Sequence, residues 1–226
     1  QTILSSVSHE IKTPITAIIG LVSALEDENI AGDLAARKPI LDELSESAER
    51  LDREVTNILD MSRLSAGAIS LKKEWFEPRD LVESCLARLA PKLRGRKLKL
   101  DIPEDLPFLH ADFSLMEQAF GNILANALNY TRAEAEIEIG AARKGDSLAL
   151  RVADNGPGIP REYVGKVFDR FFRVPGTPAG GTGLGLAIAK AVAELHGGGI
   201  AADNPAGGGA EFTITLPVEP QPELDK

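Results

Sequence analysis

Apolar residues near the start of the chain fall at Leu4, Val7, Ile11, Ile15, Ile18, Val22 and Leu25, in steps of three and four. That spacing places them on one side of an α-helix and leaves the other side polar. Pro14 stands inside the stripe, where it deletes a backbone donor and should bend the helix. The polar, Gly-containing stretch 26–38 ends this pattern. A second stripe follows at Leu41, Leu44, Ala48, Leu51, Val55 and Ile58, with steps alternating between three and four as along a heptad seam. Two such helices joined by a short loop make a hairpin, which buries little apolar surface alone. Pairing with a second copy as a four-helix bundle would hide more, so a homodimer through residues 1–66 is expected. Gln1 already stands inside the helical pattern, and the sequence therefore reads as a fragment of a longer protein.

The pattern changes after Ser65 and Gly67. Residues 67–76 read as an extended linker with Trp75 and Phe76 as anchors. Helical spacing returns at 79–93 and 113–130, and strand-like alternation appears at 97–102. Residues 135–142 and 147–154 alternate on either side of Lys144-Gly145-Asp146, the signature of a hairpin. A Gly/Pro-rich stretch, 155–185, precedes a helix at 184–196 and strands at 199–203 and 210–216. Mixed strands with interspersed helices indicate an α+β fold, a helical hairpin followed by an α/β sandwich over residues 77–218. A Pro-rich acidic tail, 219–226, is expected to be disordered.

Composition narrows the function. The net charge of -9 provides no basic excess for neutralising phosphates, which argues against nucleic-acid binding. With Cys85 as the single cysteine, no intramolecular disulfide can form, as suits a reducing compartment. Cys85 lies in an apolar run and reads as a small buried hydrophobe. No run of about 18 apolar residues is present to span a membrane.

The chain has 21 glycines, many of them clustered. Asp154-Asn-Gly-Pro-Gly-Ile-Pro closes a strand, and Gly180-Gly-Thr-Gly-Leu-Gly-Leu-Ala opens a helix. Glycine permits close backbone approach, and a helix start presents unpaired N–H groups that favour phosphate. Two such loops, one led by an acid, suggest a nucleotide site, although either alone could serve only as a turn. The segment is not a Walker loop, because G-x-x-x-x-G-K-[ST] is absent. Leu186 stands where the dinucleotide fingerprint requires its last glycine. The H-R-D and D-F-G motifs of Ser/Thr kinases are also missing. Asn122, Asn126 and Asn129 recur at steps of four and three on the 113–130 helix, a placement that ordinary surface polarity or a Mg²⁺ site would explain. His9 lies beside the first apolar stripe. Glu10 could orient its ring, Thr13 follows one turn on, and the Pro14 bend would re-aim the imidazole.

These pieces together resemble the sensor histidine kinases. Ser8-His-Glu-Ile-Lys-Thr-Pro14 is similar to their phosphoacceptor box, and Asn122-Ile-Leu-Ala-Asn-Ala-Leu-Asn-Tyr-Thr131 to the N box. Asp154-Asn-Gly-Pro-Gly158 resembles the first glycine box, Val167-Phe-Asp-Arg-Phe-Phe-Arg173 the F box, and Gly181-Thr-Gly-Leu-Gly-Leu-Ala187 the second glycine box. Glu194-Leu-His-Gly-Gly198 and Gly208-Gly-Ala-Glu-Phe-Thr-Ile-Thr-Leu-Pro217 also fit, and the order is the family's. Leu59-Asp-Met-Ser-Arg63 and Leu71-Lys-Lys-Glu-Trp75 resemble the potassium-responsive KdpD branch.

The resemblance implies a phosphoacceptor and dimerisation hairpin followed by an ATP-binding domain of the GHKL (Bergerat) type. His9 would be phosphorylated from ATP and would pass the phosphoryl group to an aspartate of a response regulator. Glu10 would assist this transfer, and Thr13 would position water when the kinase dephosphorylates that partner. Asn126 would coordinate Mg²⁺ with support from Asn122. Asp154 would bond the adenine amino group, and Tyr130, Gly156 and Gly158 would shape its pocket. Residues 160–182 would form a lid based on Phe168 and Phe171. Gly181, Thr182, Gly183, Leu184 and Gly185 would bring backbone amides to the phosphates. Asn129 departs from the family, which usually has a basic residue there. Arg132 or Arg173 could supply the missing charge. His110 and His196 match no acceptor position and read as structural, His196 at a helix C-terminus that favours positive charge. The full-length protein is expected to be a bacterial inner-membrane sensor whose cytoplasmic portion this is. Two competing readings are a non-catalytic docking module and a GHKL ATPase that releases free phosphate. The second leaves His9-Glu-x-x-Thr-Pro unexplained.

Overall fold

The computed structural model describes residues 3–27, 30, 32–67, 69–177 and 181–220, and the side chains of residues 3–7, 9 and 10 lie outside the described part. Helices α1 (Ile3–Leu25) and α2 (Leu34–Ser65) pack along each other as a hairpin. The α-helix α1 runs through Pro14, whose ring is buried. α2 begins well before its apolar stripe, because the Asp33 side chain accepts from the N–H groups of Ala35 (2.9 Å) and Ala36 (3.3 Å) and so caps it. Ile15, Val22, Leu41 and Val55, all members of the two stripes, are exposed in the single chain together with Ile19 and Leu59.

The remainder forms a sheet covered by helices. In chain order it comprises β1 (Glu74–Phe76), α3 (Pro78–Arg88), α4 (Ala90–Leu93), β2 (Lys97–Asp101), β3 (Leu109–Ala111), α5 (Phe113–Tyr130), β4 (Glu136–Lys144), β5 (Ser147–Asp154), α6 (Gly185–Leu195), β6 (Gly199–Asp203) and β7 (Glu211–Pro217). The main sheet has the order β2-β4-β5-β7-β6, with β2 parallel to β4 and the other neighbours antiparallel. A parallel pair needs a crossover, and α5 lies in the one between β2 and β4. Along β7, Phe212, Ile214 and Leu216 are buried while Glu211, Thr213 and Thr215 are half-buried, the period-two alternation of a sheet with one covered face. Phe120, Ile123 and Leu124 of α5 and Ile188 and Val192 of α6 join that buried face in one core. On the sheet's other face Arg151 pairs with Glu138 and with Glu211 (3.1 Å).

β1 and β3 form a separate two-stranded ribbon with Glu74 opposite Ala111 and Phe76 opposite Leu109. The end of the expected linker is thus a paired strand. Trp75 stacks on His110 across the ribbon at 4.5 Å. Glu219, at the head of the expected tail, is held there as well. Its carboxylate accepts from Lys73 Nζ (2.9 Å) and pairs with His110 Nδ1 (2.7 Å). The rest of the tail, 221–226, lies outside the described residues.

Candidate active site

A cavity of about 960 Å³ opens between α5, the end of β5, the loop before α6, and α2. Seven residues of α5 reach it, among them Asn122, Asn126, Asn129 and Tyr130. Asn122 Nδ2 donates to the carbonyl of Gly185 (3.2 Å), which ties the middle of α5 to the first residue of α6. Both ends of α5 are anchored. Asp112 Oδ1 accepts from Leu115 N (3.2 Å) at its start, while Asp112 Oδ2 accepts from Lys72 N (2.9 Å). The Asp112 N–H donates to Nε2 of His196 (3.0 Å), a residue only 5% exposed whose Nδ1 faces the Val192 carbonyl (2.8 Å). His196 is therefore structural, but with Nε2 accepting and Nδ1 donating its ring is the neutral tautomer. It serves as a two-way hydrogen-bond bridge between the end of α6 and the start of α5. At the C-terminal end, Arg96 donates to the carbonyls of Leu128 (2.8 Å) and Arg132 (2.8 Å) and to Thr131 Oγ1 (2.6 Å).

Asp154 ends β5 at the cavity wall and is 9% exposed. Its Oδ1 accepts from the N–H of Gly156 (2.8 Å) and of Ala210 (3.3 Å). Burial pushes its carboxyl above the ordinary aspartate range, and these two N–H groups partly offset the rise. Ala210 can come this close because Gly209 precedes it. Gly209 has φ +86, and a Cβ there would lie 1.7 Å from the Asp154 carbonyl oxygen. Asn204 clips the same loop by donating to the Ile159 carbonyl (2.5 Å) and accepting from its N–H (2.8 Å).

Facing Asp154 across the cavity is the loop that starts α6. Gly181, Thr182, Gly183 and Gly185 line the space. Gly183 has φ +71, and a Cβ on it would stand 2.7 Å from the Phe172 carbonyl oxygen, so the loop can lie against the F-box segment only with glycine there. The Gly183 carbonyl accepts from Phe171 N (3.1 Å). Phe171 itself adopts φ 63, a conformation that costs a non-glycine residue about 1 kcal/mol. Phe168 packs edge-on against Phe212 at 6.2 Å, joining this segment to the core.

Nine of the expected site residues line this one cavity: Asn122, Asn126, Tyr130, Asp154, Gly158, Gly181, Thr182, Gly183 and Gly185. Gly156 and Leu184 stand behind the wall, Gly156 as a donor to Asp154 and Leu184 fully buried in the core. Arg173 lines the cavity. Arg132 is exposed and does not. Thr13 is exposed on α1. The backbones of His9 and Glu10 belong to α1, but their side chains lie outside the described residues.

Sequence reasoning missed Glu54. It lies at helical spacing between Leu51 and Ile58, beside the apolar stripe of α2, where it is 6% exposed and its Oε2 accepts from Thr182 N (3.4 Å). Nothing local marks it, because its burial comes from a segment over a hundred residues away. Residues 49–57 of α2 contribute further polar side chains to the cavity, including Arg50 and Arg53. Lys92, also at the cavity, has its pKa lowered by burial and then by the nearby Arg53 charge.

Two family models match. His Kinase A (phospho-acceptor) domain covers residues 1–67, and Histidine kinase-, DNA gyrase B-, and HSP90-like ATPase covers residues 111–220. The chain belongs to the sensor histidine kinases. Over its full length this kinase core is 40% identical to the sensor protein KdpD of Escherichia coli (strain K12), of which it spans 25%. Among solved structures it resembles Acinetobacter baumannii histidine kinase AdeS, with TM-score 0.73 and 25% identity over 94% of this chain and 98% of that one. It also resembles full-length ShkA in complex with AMPPNP, with TM-score 0.71 and 25% identity over 96% of this chain and 46% of that one. No helix among the described residues of the kinase core is long and apolar enough to cross a membrane.

The donor set of the cavity fits a purine nucleotide. Asp154 is an acceptor held from behind, Tyr130 is a nearby aromatic wall, and the glycine-rich start of α6 offers backbone N–H groups without Cβ atoms in the way. Among the described residues no group of three or more His, Cys, Asp or Glu could hold a metal ion. A divalent ion here would depend on an amide oxygen such as that of Asn126 together with phosphate oxygens, a set that suits Mg²⁺.

Proposed function

We propose that this chain is the ATP-dependent autokinase core of a two-component system, which phosphorylates His9 and hands the phosphoryl group to an aspartate of a response-regulator receiver domain. The observation that carries the reading is the convergence of Asp154, Asn122, Asn126 and the Gly181–Gly185 loop on one cavity, in a chain that also holds a matched phosphoacceptor domain. In this reading Asp154 accepts from the adenine amino group, and the Thr182, Gly183 and Gly185 N–H groups hold the phosphates. Asn126 would hold Mg²⁺, which would supply charge neutralisation at the phosphates when bound. Arg173 supplies the positive charge that Asn129 does not.

His9 acts as nucleophile. Its nitrogen forms a bond to the terminal phosphorus as the bond to the bridging oxygen breaks and ADP departs. Glu10 orients the ring, and positioning accounts for most of the rate, as in other phosphoryl transfers. Thr13 positions water for the reverse duty, dephosphorylation of the partner. The exposed apolar residues of α1 and α2 supply the homodimer contact. The activity of the whole protein, with attachment at a bacterial inner membrane, belongs to the same proposal.

The test is incubation with γ-labelled Mg-ATP in wild type and His9→Gln. Label stable to base, lost in acid and absent from the variant is expected. Label retained in His9→Gln would refute the acceptor assignment, and free phosphate release without labelled protein would favour an ATPase.

A further inference from the structure

We infer that Glu54 is an internal phosphate mimic, a hairpin carboxylate that occupies the phosphate-binding loop and must leave before a nucleotide can bind. The inference rests on the reading of Gly181–Gly185 as that loop.

A glutamate side chain is ordinarily solvated, and burying its charge is costly unless a partner compensates. Glu54 is nonetheless 6% exposed, and the group that accepts its placement is a backbone N–H of the glycine-rich loop, Thr182 N at 3.4 Å. Its other oxygen, Oε1, is the atom nearest to where a Cβ on Gly181 would lie, at 3.8 Å. Both carboxylate oxygens therefore lie against the glycine-rich loop just before α6 begins. A carboxylate and a phosphate want the same things from such a loop, namely hydrogen-bond donors and the positive end of a helix. They cannot share Thr182 N–H.

The arrangement is held from outside the loop. Met61 of α2 is buried in the catalytic core, with Ile58 and Leu64 packed against it, and Gln118 Nε2 donates to Asp60 Oδ2 (2.5 Å). Those contacts dock α2 against α5 and α6 near Glu54, and the docking delivers the carboxylate to the loop. The chain thus stores a competitor for the anion site in the same helix that carries the dimerisation seam. A rotation or slide of α2 that withdraws Glu54 frees the site, and nucleotide binding in turn loosens α2, since linkage works in both directions.

The experiment is a titration of the whole chain with Mg-AMPPNP, comparing wild type, Glu54→Gln and Asp60→Ala, with circular dichroism confirming the fold. Glu54→Gln removes the charge while keeping the shape. It should lower Kd about tenfold, the scale of one charge-assisted hydrogen bond. Asp60→Ala loosens docking without touching Thr182 and should lower Kd in the same direction by less. Hydrogen exchange at Thr182 N should speed up in nucleotide-free Glu54→Gln relative to wild type. Measurable binding in wild type with an unchanged or weaker Kd in Glu54→Gln overturns the inference and leaves the kinase reading intact. Tightening by Asp60→Ala alone overturns the role of Glu54 and leaves docking as a purely steric block. Absence of nucleotide binding in all three proteins overturns the kinase reading and this inference together.

Discussion

At the scale of single residues, Asp154 shows a functional group held at a cost to the fold. Burial raises its carboxyl pKa above the ordinary value of 3.8. Between the unfolded and folded values the native state therefore binds more protons than the unfolded chain. Its contribution to stability is greatest below the unfolded value and is lost as pH rises through the folded one. At neutral pH the charge is a liability that only ligand binding would reward. Asp154→Asn keeps an oxygen to accept from Gly156 and Ala210 but removes the charge. Its Tm at pH 7 should match or exceed that of wild type, whereas nucleotide affinity should fall by roughly ten- to a hundredfold, because an amide N–H would then meet the ligand's own donor. A thermal melt and a nucleotide titration on the same sample check both halves. Residues of this kind were legible in the sequence, since an acid ending an alternating strand before Gly-Pro-Gly is a local pattern. Ala210 was not, because its contribution is a backbone N–H that any residue but proline could make.

Among the elements, α5 shows what periodicity can and cannot reveal. Its apolar spacing and its asparagines at steps of four and three mark both the helix and its cavity face, and its bounds, Phe113–Tyr130, are those the spacing predicts. The anchoring is invisible locally. Asp112 joins the N-terminus of α5 to Lys72 before β1 and to His196 after α6. Asp112→Ala removes a helix cap and leaves the Lys72 N–H without its acceptor. It should destabilise the catalytic domain by about 2–3 kcal/mol, measured as a lower urea midpoint with an unchanged slope. The strands β1 and β3 also escaped notice, because three residues are too few to show alternation. The early start of α2 was missed for a related reason. Asp33 opens that helix inside a polar segment, ahead of any apolar stripe. Glu54 lies at the same limit: a side chain that reads as solvated becomes buried only because another domain covers it.

On the scale of the whole molecule, the ribbon of β1 and β3 ties distant parts of the chain together. Hydrogen bonding from Lys73, and then from His110, holds the Glu219 carboxyl below the ordinary glutamate range. A depressed carboxyl pKa adds stability that is present above the unfolded value of 4.5 and is lost as pH falls through the folded value. Acidification below about pH 4.5 should therefore release residue 219 from the ribbon. Trp75, the single tryptophan, stacks on His110 and reports the event. Its fluorescence should shift in wild type before global unfolding and show no such step in Glu219→Gln. The ribbon also sets a mechanical bound. With Lys72 already bonded to Asp112 and α2 ending at Ser65, only residues 66–71 remain as a tether between the hairpin and the catalytic domain. Six residues reach at most ~20 Å. Counted from the ends that flank the hairpin turn, Leu25 and Leu34, His9 lies about 16 residues back and Ser65 about 31, so His9 is set back from the end of α2 by ~22 Å of helix rise. The leash and the setback are nearly the same length. By the same count His9 therefore stands at about the height of Arg50, which already lines the cavity, so bringing the site to the histidine calls for a swing of the domain around the hairpin rather than a climb along it.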